Sequence, residues 1–286
     1  MNYRHAYHAG NHADVLKHIV IARVIDHLKQ KDKPFRVLDA HSGIGLYGLE
    51  SVEAEKTFEW REGVGRLFLA DGSSIELSSD AEAIIAPWRD AIRSVNNPGR
   101  LAFYPGSPEI ADWLIRPTDK ISLNELHPTD YETLAARYGE TGQVRLFKLD
   151  ATAFLKATLP PIERRGLVLI DPPYELTDEG DRVVRMMTEA LKRFATGIYC
   201  VWYPVTGDGL DQKLRDAVAG MGLRNVLDVR LDIRAVKKNG GLAGSGMMII
   251  NPPWHLAEEL RVILPELTER LSQGEGTFKL DHQNDE

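Results

Sequence analysis

A mostly parallel α/β sheet of seven strands, ended by an antiparallel hairpin and carrying a small helical insertion, is the fold this sequence predicts. Three observations predict it. Leu167-Val168-Leu169-Ile170 is an unbroken apolar run, the pattern of a strand buried on both faces. Similar short runs alternate with helical spacing of apolar residues along most of the 286 residues. The last two runs, Val226 to Ile233 and Met247 to Ile250, are joined by a Gly-rich loop, Asn239 to Gly246, with no helix between them, as in an antiparallel pair.

In chain order, Asn11 caps a helix running to about Gln30, whose stripe is Val15, Leu16, Ile19, Val20, Val24 and Leu28. The first 36 residues are locally basic, and Lys17 or His18 is read as the holder of a ligand carboxylate. His5, His8, His12 and His18 do not make a metal set, because Gly10 breaks any helix between His8 and His12 and no Cys or carboxylate completes a ligand group; no metal is expected. Phe35 to Asp39 is a strand running into His41-Ser42-Gly43-Ile44-Gly45, a small loop that lets backbone approach a nucleotide-like ligand. It is neither GxGxxG nor a P-loop, so dinucleotide and triphosphate binding are disfavoured.

Residues 50–103 interrupt the alternation. Phe58 to Leu69 and Asp80 to Val95 each show helical spacing around the polar Asp71-Gly72-Ser73-Ser74, which reads as a helical insertion that either grips substrate or adds bulk. Alternation resumes with Ser107-Pro108, an N-cap followed by proline, opening a helix through Leu114. Strands follow at Lys120 to Leu126 and Val144 to Leu149, each with a helix after it, then the strand at Gly166, a helix over Asp178 to Phe194, the strand Ile198 to Tyr203, and a helix from Gly209 to Met221. After the hairpin comes a helix from His255 to Leu271, and residues 273–286 read as a flexible tail. The whole is expected to be a single domain.

The strand at Gly166 leads into Asp171-Pro172-Pro173-Tyr174. Two prolines cannot continue the ladder, so Asp171 and Tyr174 sit just past a carboxyl edge, where open α/β sheets bind ligands. A carboxylate and a rigid carbonyl, those of Asp171 and Pro172, accept the two hydrogens of an exocyclic amine and turn its lone pair toward an electrophile. Tyr174 offers a ring on which a nucleobase stacks, worth roughly 1–3 kcal/mol. The same tetrapeptide reads equally as a strand-ending turn with Asp171 capping the next helix. Asn251-Pro252-Pro253-Trp254 competes with it, but follows a strand expected to run the opposite way and so to end at the far edge. In such a sheet Glu125, after the second strand, suits ribose hydroxyls, and Asp150, after the third, an adenine amino group.

Composition narrows the classes. With 43% hydrophobic and 27% charged residues the chain is globular, and a net charge of −7 argues against coating nucleic acid through bulk attraction. The single Cys200 excludes internal disulfides and a Cys-based zinc site. No apolar run of about 18 residues and no signal peptide is present, so the chain is expected in the cytoplasm, away from membranes. The positive excess around Arg224 to Lys238 reads either as a phosphate holder or as a solvated strand face.

These residues carry a resemblance. The chain is similar to class I S-adenosylmethionine-dependent methyltransferases. Tyr3-Arg4-His5, His8 through His18, Pro105-Gly106-Ser107-Pro108, Glu125-Leu126-His127-Pro128, Ile170 through Glu175 and Ala195 through Tyr199 resemble the RlmJ family of bacterial 23S ribosomal RNA adenine-N6 methyltransferases, over nearly the whole chain. The resemblance implies a Rossmann-like core with inserted helices, S-adenosyl-L-methionine as methyl donor, 23S ribosomal RNA as partner, and adenine 2030 as target. By position, the donor contacts fall on His18, His41, Ser107, Glu125, Asp150 and Ala151, with Lys17 and Asp171 beside them. The catalytic acceptor falls on Asp171, and Tyr3, next to Arg4, on the side of the RNA. A monomer is expected. A DNA adenine methyltransferase would use the same Asp-Pro-Pro-Tyr, and a guanine-N2 or protein-glutamine methyltransferase fits less well. A donor-binding ribosome-assembly factor without turnover would keep Glu125 and Asp150 but need not keep Asp171 and Tyr174.

Overall fold

The computed structural model describes residues 3–139, 142–237 and 241–284. Helix α1 (His12–Lys29) comes first, then β1 (Arg36–Asp39), β2 (Leu46–Gly48), α2 (Ala54–Thr57), α3 (Ser79–Ser94), β3 (Phe103–Pro105) and α4 (Ser107–Leu114). The alternating part follows: β4 (Lys120–Asn124), α5 (Pro128–Tyr138), β5 (Val144–Phe147), α6 (Ala151–Thr158), β6 (Gly166–Ile170), α7 (Glu179–Arg193), β7 (Ile198–Val205) and α8 (Leu210–Ala219). The chain closes with β8 (Asn225–Asp232), β9 (Gly244–Ile250), α9 (Leu256–Leu271) and β10 (Thr277–Asn284).

The main sheet has eight strands in the order β10-β8-β9-β7-β6-β1-β4-β5. The block β7-β6-β1-β4-β5 is parallel, and β9 lies antiparallel between β7 and β8. The sequence led to seven strands; the eighth is β10, formed where a flexible tail was expected, and it pairs antiparallel with β8 along the whole length of that strand. Unpaired, β8 would be an open edge presenting free N–H and C=O groups. Leu280 of β10 packs against the core, while Phe278 on the same strand stays exposed.

Alternation along each strand sends side chains to two layers of helices. Leu167 and Leu169 of β6 enter the cluster built with α1, α3, α4 and α9, while Val168 and Ile170 enter the cluster with α6, α7 and α8. All five β6 residues are buried, so each large side chain contributes roughly 1.5–3 kcal/mol of apolar burial. β6 and β1 pack so closely that a Cβ at Gly166 would stand 2.2 Å from the Arg36 carbonyl oxygen. From β1 the chain moves outward to β4 and β5, then crosses back to β6 on the other side of β1, so the β1/β6 junction is the point where strand order reverses.

Residues 50–103 are helical where the chain folds regularly, but Phe58 to Leu69 forms two short 3₁₀ turns, Glu59–Glu62 and Val64–Arg66, instead of one helix. A two-stranded sheet of β2 and β3, invisible in the sequence, closes the base of this region. Among the described residues no helix is long and apolar enough to cross a membrane.

Candidate active site

The carboxyl ends of β1, β4, β5 and β6 converge on a cavity of about 650 Å³, within the ordinary range for a small-molecule site. Asn124 stitches three of these ends together: its Nδ2 donates to the carbonyls of Ala40 and Leu149, both at 3.0 Å, and its Oδ1 accepts from Leu149 N–H at 3.0 Å. Asp171, Pro172, Pro173 and Tyr174 form one wall. Tyr174 has left-handed backbone, φ 51°, which turns its ring back over the sheet, and its hydroxyl donates to the Trp202 carbonyl at 2.8 Å. Its ring is thereby pinned against that of Trp202, with centroids 5.8 Å apart.

Asp171 is held from two sides. Its backbone N–H donates to His41 Nδ1 at 3.2 Å, and its Oδ2 accepts from Lys17 Nζ at 2.5 Å. Because Nδ1 of His41 must accept, the ring proton sits on Nε2; burial lowers the His41 pKa to about 4 and keeps the ring neutral. Lys17 also pairs with Asp14 Oδ1 at 2.8 Å. Burial pulls the Lys17 ammonium down, but the Asp14 and Asp171 carboxylates outweigh it and leave its pKa raised. Asp14 is fully buried, which alone would raise it; the charges of His5 and Lys17 and the His5 hydrogen bond instead hold it well below the usual carboxylate range. The chain of contacts continues outward, from Asp14 Oδ2 to His5 Nε2 at 2.9 Å and from His5 Nδ1 to the Tyr3 hydroxyl at 2.9 Å.

The opposite wall offers acceptors and small residues. Glu125, one residue beyond β4, accepts from Gly43 N–H at 2.9 Å and from His127 N–H at 2.7 Å, and burial raises its pKa despite these bonds. Asp150 caps α6 by accepting from Thr152 N–H at 2.9 Å, with Ala151 next to it on the cavity wall. Behind this wall lies Asp39, fully buried, whose Oδ2 accepts from the Ser107 hydroxyl at 2.7 Å and whose Oδ1 accepts from His41 N–H at 3.1 Å. Burial pushes Asp39 up to about 7, against the pull of those two hydrogen bonds. His18 is also buried, lowered to about 3 by desolvation, with Nδ1 2.9 Å from the Tyr104 hydroxyl. The insertion closes one side: Glu59 lies 2.9 Å from His8 Nδ1 and accepts from Asn11 Nδ2 at 2.9 Å.

A model of the family described as Ribosomal RNA large subunit methyltransferase D, RlmJ, matches residues 32–283. The chain belongs to that family. Over 271 residues it is 43% identical to Ribosomal RNA large subunit methyltransferase J of Escherichia coli (strain K12), covering 95% of this chain and 94% of that one. The protein of the same name from Haemophilus influenzae is 44% identical over 283 residues, 98% of each chain. A crystal structure of protein LPL1258 from Legionella pneumophila superposes with a TM-score of 0.86 at 32% identity, covering 96% of this chain and 98% of the other.

In this RlmJ family member the cavity is lined by Tyr3, Lys17, His18, His41, Ser107, Glu125, Asp150, Ala151, Asp171, Pro172 and Tyr174, so residues named from scattered stretches of sequence share one space. Arg4 does not line it; its guanidinium pairs with Asp130 at 3.1 Å and Glu53 at 3.8 Å. Lys17, read as a holder of a ligand carboxylate, is instead engaged by two carboxylates of the chain itself. Ser107 is not an N-cap; Gly106 holds that position, and the Ser107 hydroxyl is turned to Asp39. Arg230, from the basic stretch, is buried and paired with Asp211 and Asp232 at 2.8 Å, neither a solvated face nor a free phosphate holder, while Lys238 and Asn239 lie outside the described residues. Asn251 ends β9 at the far edge as expected, its Nδ2 donating to the Ala195 and Gly197 carbonyls. Asp14, Asp39 and Asn124 were missed. The signal for Asp39 and Asn124 was a polar residue at the end of an apolar strand; nothing local marks Asp14. Among the described residues no group of three or more His, Cys, Asp or Glu is arranged to hold a metal ion.

Proposed function

We propose that this chain transfers a methyl group from S-adenosylmethionine to the N6 amino group of one adenine in 23S ribosomal RNA, adenine 2030 as the family implies. The observation that carries the reading is that the Asp171 carboxylate and the Tyr174 ring share a cavity with Glu125, Asp150, His41 and Ser107. The residues fit the donor. Glu125 keeps lone pairs beyond its two backbone bonds for ribose hydroxyls, Asp150 suits an adenine amino group, and an acidic lining suits a sulfonium and an ammonium. Bound there, the donor supplies an electrophilic methyl on sulfur.

The chain's own residues do the rest. With Oδ2 of Asp171 taken by Lys17, Oδ1 is the oxygen available to the adenine amine, and the Pro172 carbonyl is a second acceptor. A carboxylate is too weak a base to deprotonate a neutral amine beforehand, so Asp171 Oδ1 orients the amine and takes its proton as the new bond forms. Tyr174, pinned by Trp202, is a plate for an adenine that has left its stack at a cost of a few kcal/mol. Most of the acceleration is positioning. Lys17 serves it by fixing the Asp171 carboxylate. The chain works as a single-domain monomer in which residues 50–103 are an insertion that clasps the N-terminal segment through Glu59.

The test is transfer of labelled methyl to a 23S ribosomal RNA fragment and to DNA of the same sequence, with the product nucleoside read by mass spectrometry. Label at adenine N6 of the RNA is expected. Label on DNA alone would make the chain a DNA adenine methyltransferase, and donor binding with label on neither would favour an assembly factor.

A further inference from the structure

We propose that Arg182 grips a phosphodiester next to the target adenine at the rim of the cavity; the inference rests on the RNA reading above. Glu179, Arg182, Val183 and Met186 of α7 line the cavity at helical spacing, so they form one stripe down its wall. Val183 and Met186 are buried at the inner end, and Arg182 is exposed. Arg182 therefore stands where a nucleotide inserted toward Asp171 would leave its backbone.

Charge supplies the second argument. Lys17 and Arg182 are the only lysine or arginine side chains among the described residues lining the cavity, against a larger number of carboxylates. That lining suits a cationic donor and repels a phosphate. Lys17 is already held between Asp14 and Asp171. Arg182 makes no ion pair or side-chain hydrogen bond with any described residue, unlike Arg4, which is tied to Asp130 and Glu53. A guanidinium presents a planar fork that matches two phosphate oxygens, and leaving it unpaired at an acidic mouth keeps it available for them.

The experiment compares wild type, Arg182→Gln and Arg182→Lys on the same 23S ribosomal RNA fragment, with donor affinity measured by calorimetry. Arg182→Gln is expected to raise KM for RNA roughly tenfold, with kcat at saturating RNA within about twofold of wild type and donor affinity unchanged. The slope of log KM against log salt should fall in magnitude by about 0.7, one phosphate contact to a single strand. Arg182→Lys should restore the salt slope, which follows charge, but only part of the KM, because an ammonium lacks the fork. An unchanged RNA KM, an unchanged salt slope, or a donor affinity that weakens with the RNA KM would each overturn the assignment, the last by moving Arg182 to the donor side. Absence of RNA turnover by the wild type would strike the proposed function itself, whereas a normal wild type with an indifferent Arg182→Gln strikes this inference alone.

Discussion

Lys17 Nζ lies 2.5 Å from Asp171 Oδ2, although 154 residues separate the two in the chain. The same ammonium is 2.8 Å from Asp14, so it neutralises two carboxylates at once. Removing it leaves the buried Asp14 with only His5 and the Gly10 N–H as partners, and breaking a buried pair in this way costs about 3–5 kcal/mol. Lys17→Met should lose that much unfolding free energy in urea and lower kcat about 100-fold through a loosened Asp171. Asp14→Asn combined with Lys17→Met should regain more than half of the stability but not the turnover. A double variant no more stable than the single would show that Asp14 is not the uncompensated charge.

Asp39 gives the fold a pH dependence of known sign. Burial first, with the neighbouring Asp171 charge adding to it, raises its folded pKa to about 7, while the Ser107 and His41 hydrogen bonds pull it down. Between an unfolded value of ~3.9 and about 7 the folded state holds a proton that the unfolded state has lost. The contribution to stability is therefore fully present below about pH 4 and is lost as pH rises to about 7. Measured by denaturation, wild-type stability minus that of Asp39→Asn should fall by on the order of 4 kcal/mol from pH 4 to pH 7 and then level. A difference that grows with pH would contradict the assignment.

Tyr174 separates a stacking role from a hydrogen-bonding one. Its hydroxyl serves only to pin the ring to the Trp202 carbonyl. Tyr174→Phe keeps the plate and should hold kcat/KM within about threefold, whereas Tyr174→Ala loses a stack of roughly 1–3 kcal/mol, about 5- to 150-fold. Steady-state kinetics on the RNA fragment checks both, and equal losses in the two variants would remove the ring from the base site.

Gly43 tests the donor wall. Its φ is +61°, a Cβ there would stand 2.1 Å from the Tyr47 hydroxyl oxygen, and its N–H donates to Glu125. A left-handed conformation alone costs an alanine about 1–2 kcal/mol. Gly43→Ala should weaken donor affinity about tenfold by calorimetry, and an unchanged affinity would place the donor elsewhere.

Much of this was legible in the sequence because the signals are local. The apolar run before Asp171 and the prolines after it require a strand ending at a sheet edge, and chain order alone put Asn251 on the other edge. The partners of Lys17 were not legible, because nothing in a helix beginning at His12 records which strand end it will face. The tail was misread because Thr277–Asn284 is largely polar and becomes a strand only by covering the open edge of β8. The Ser107 hydroxyl faces Asp39 because the chain enters α4 from Gly106, a turn that the Ser-Pro signal does not specify.

The most direct measurement is the pair of numbers for Asp171→Ala: methyl transfer to the adenine of the RNA fragment, and donor affinity by calorimetry. Transfer should disappear while the donor Kd stays within about threefold of wild type, and in the same assay Glu125→Ala should weaken the donor first. Retained transfer, or donor binding lost together with transfer, would contradict the placement of the amine-facing oxygen on Asp171.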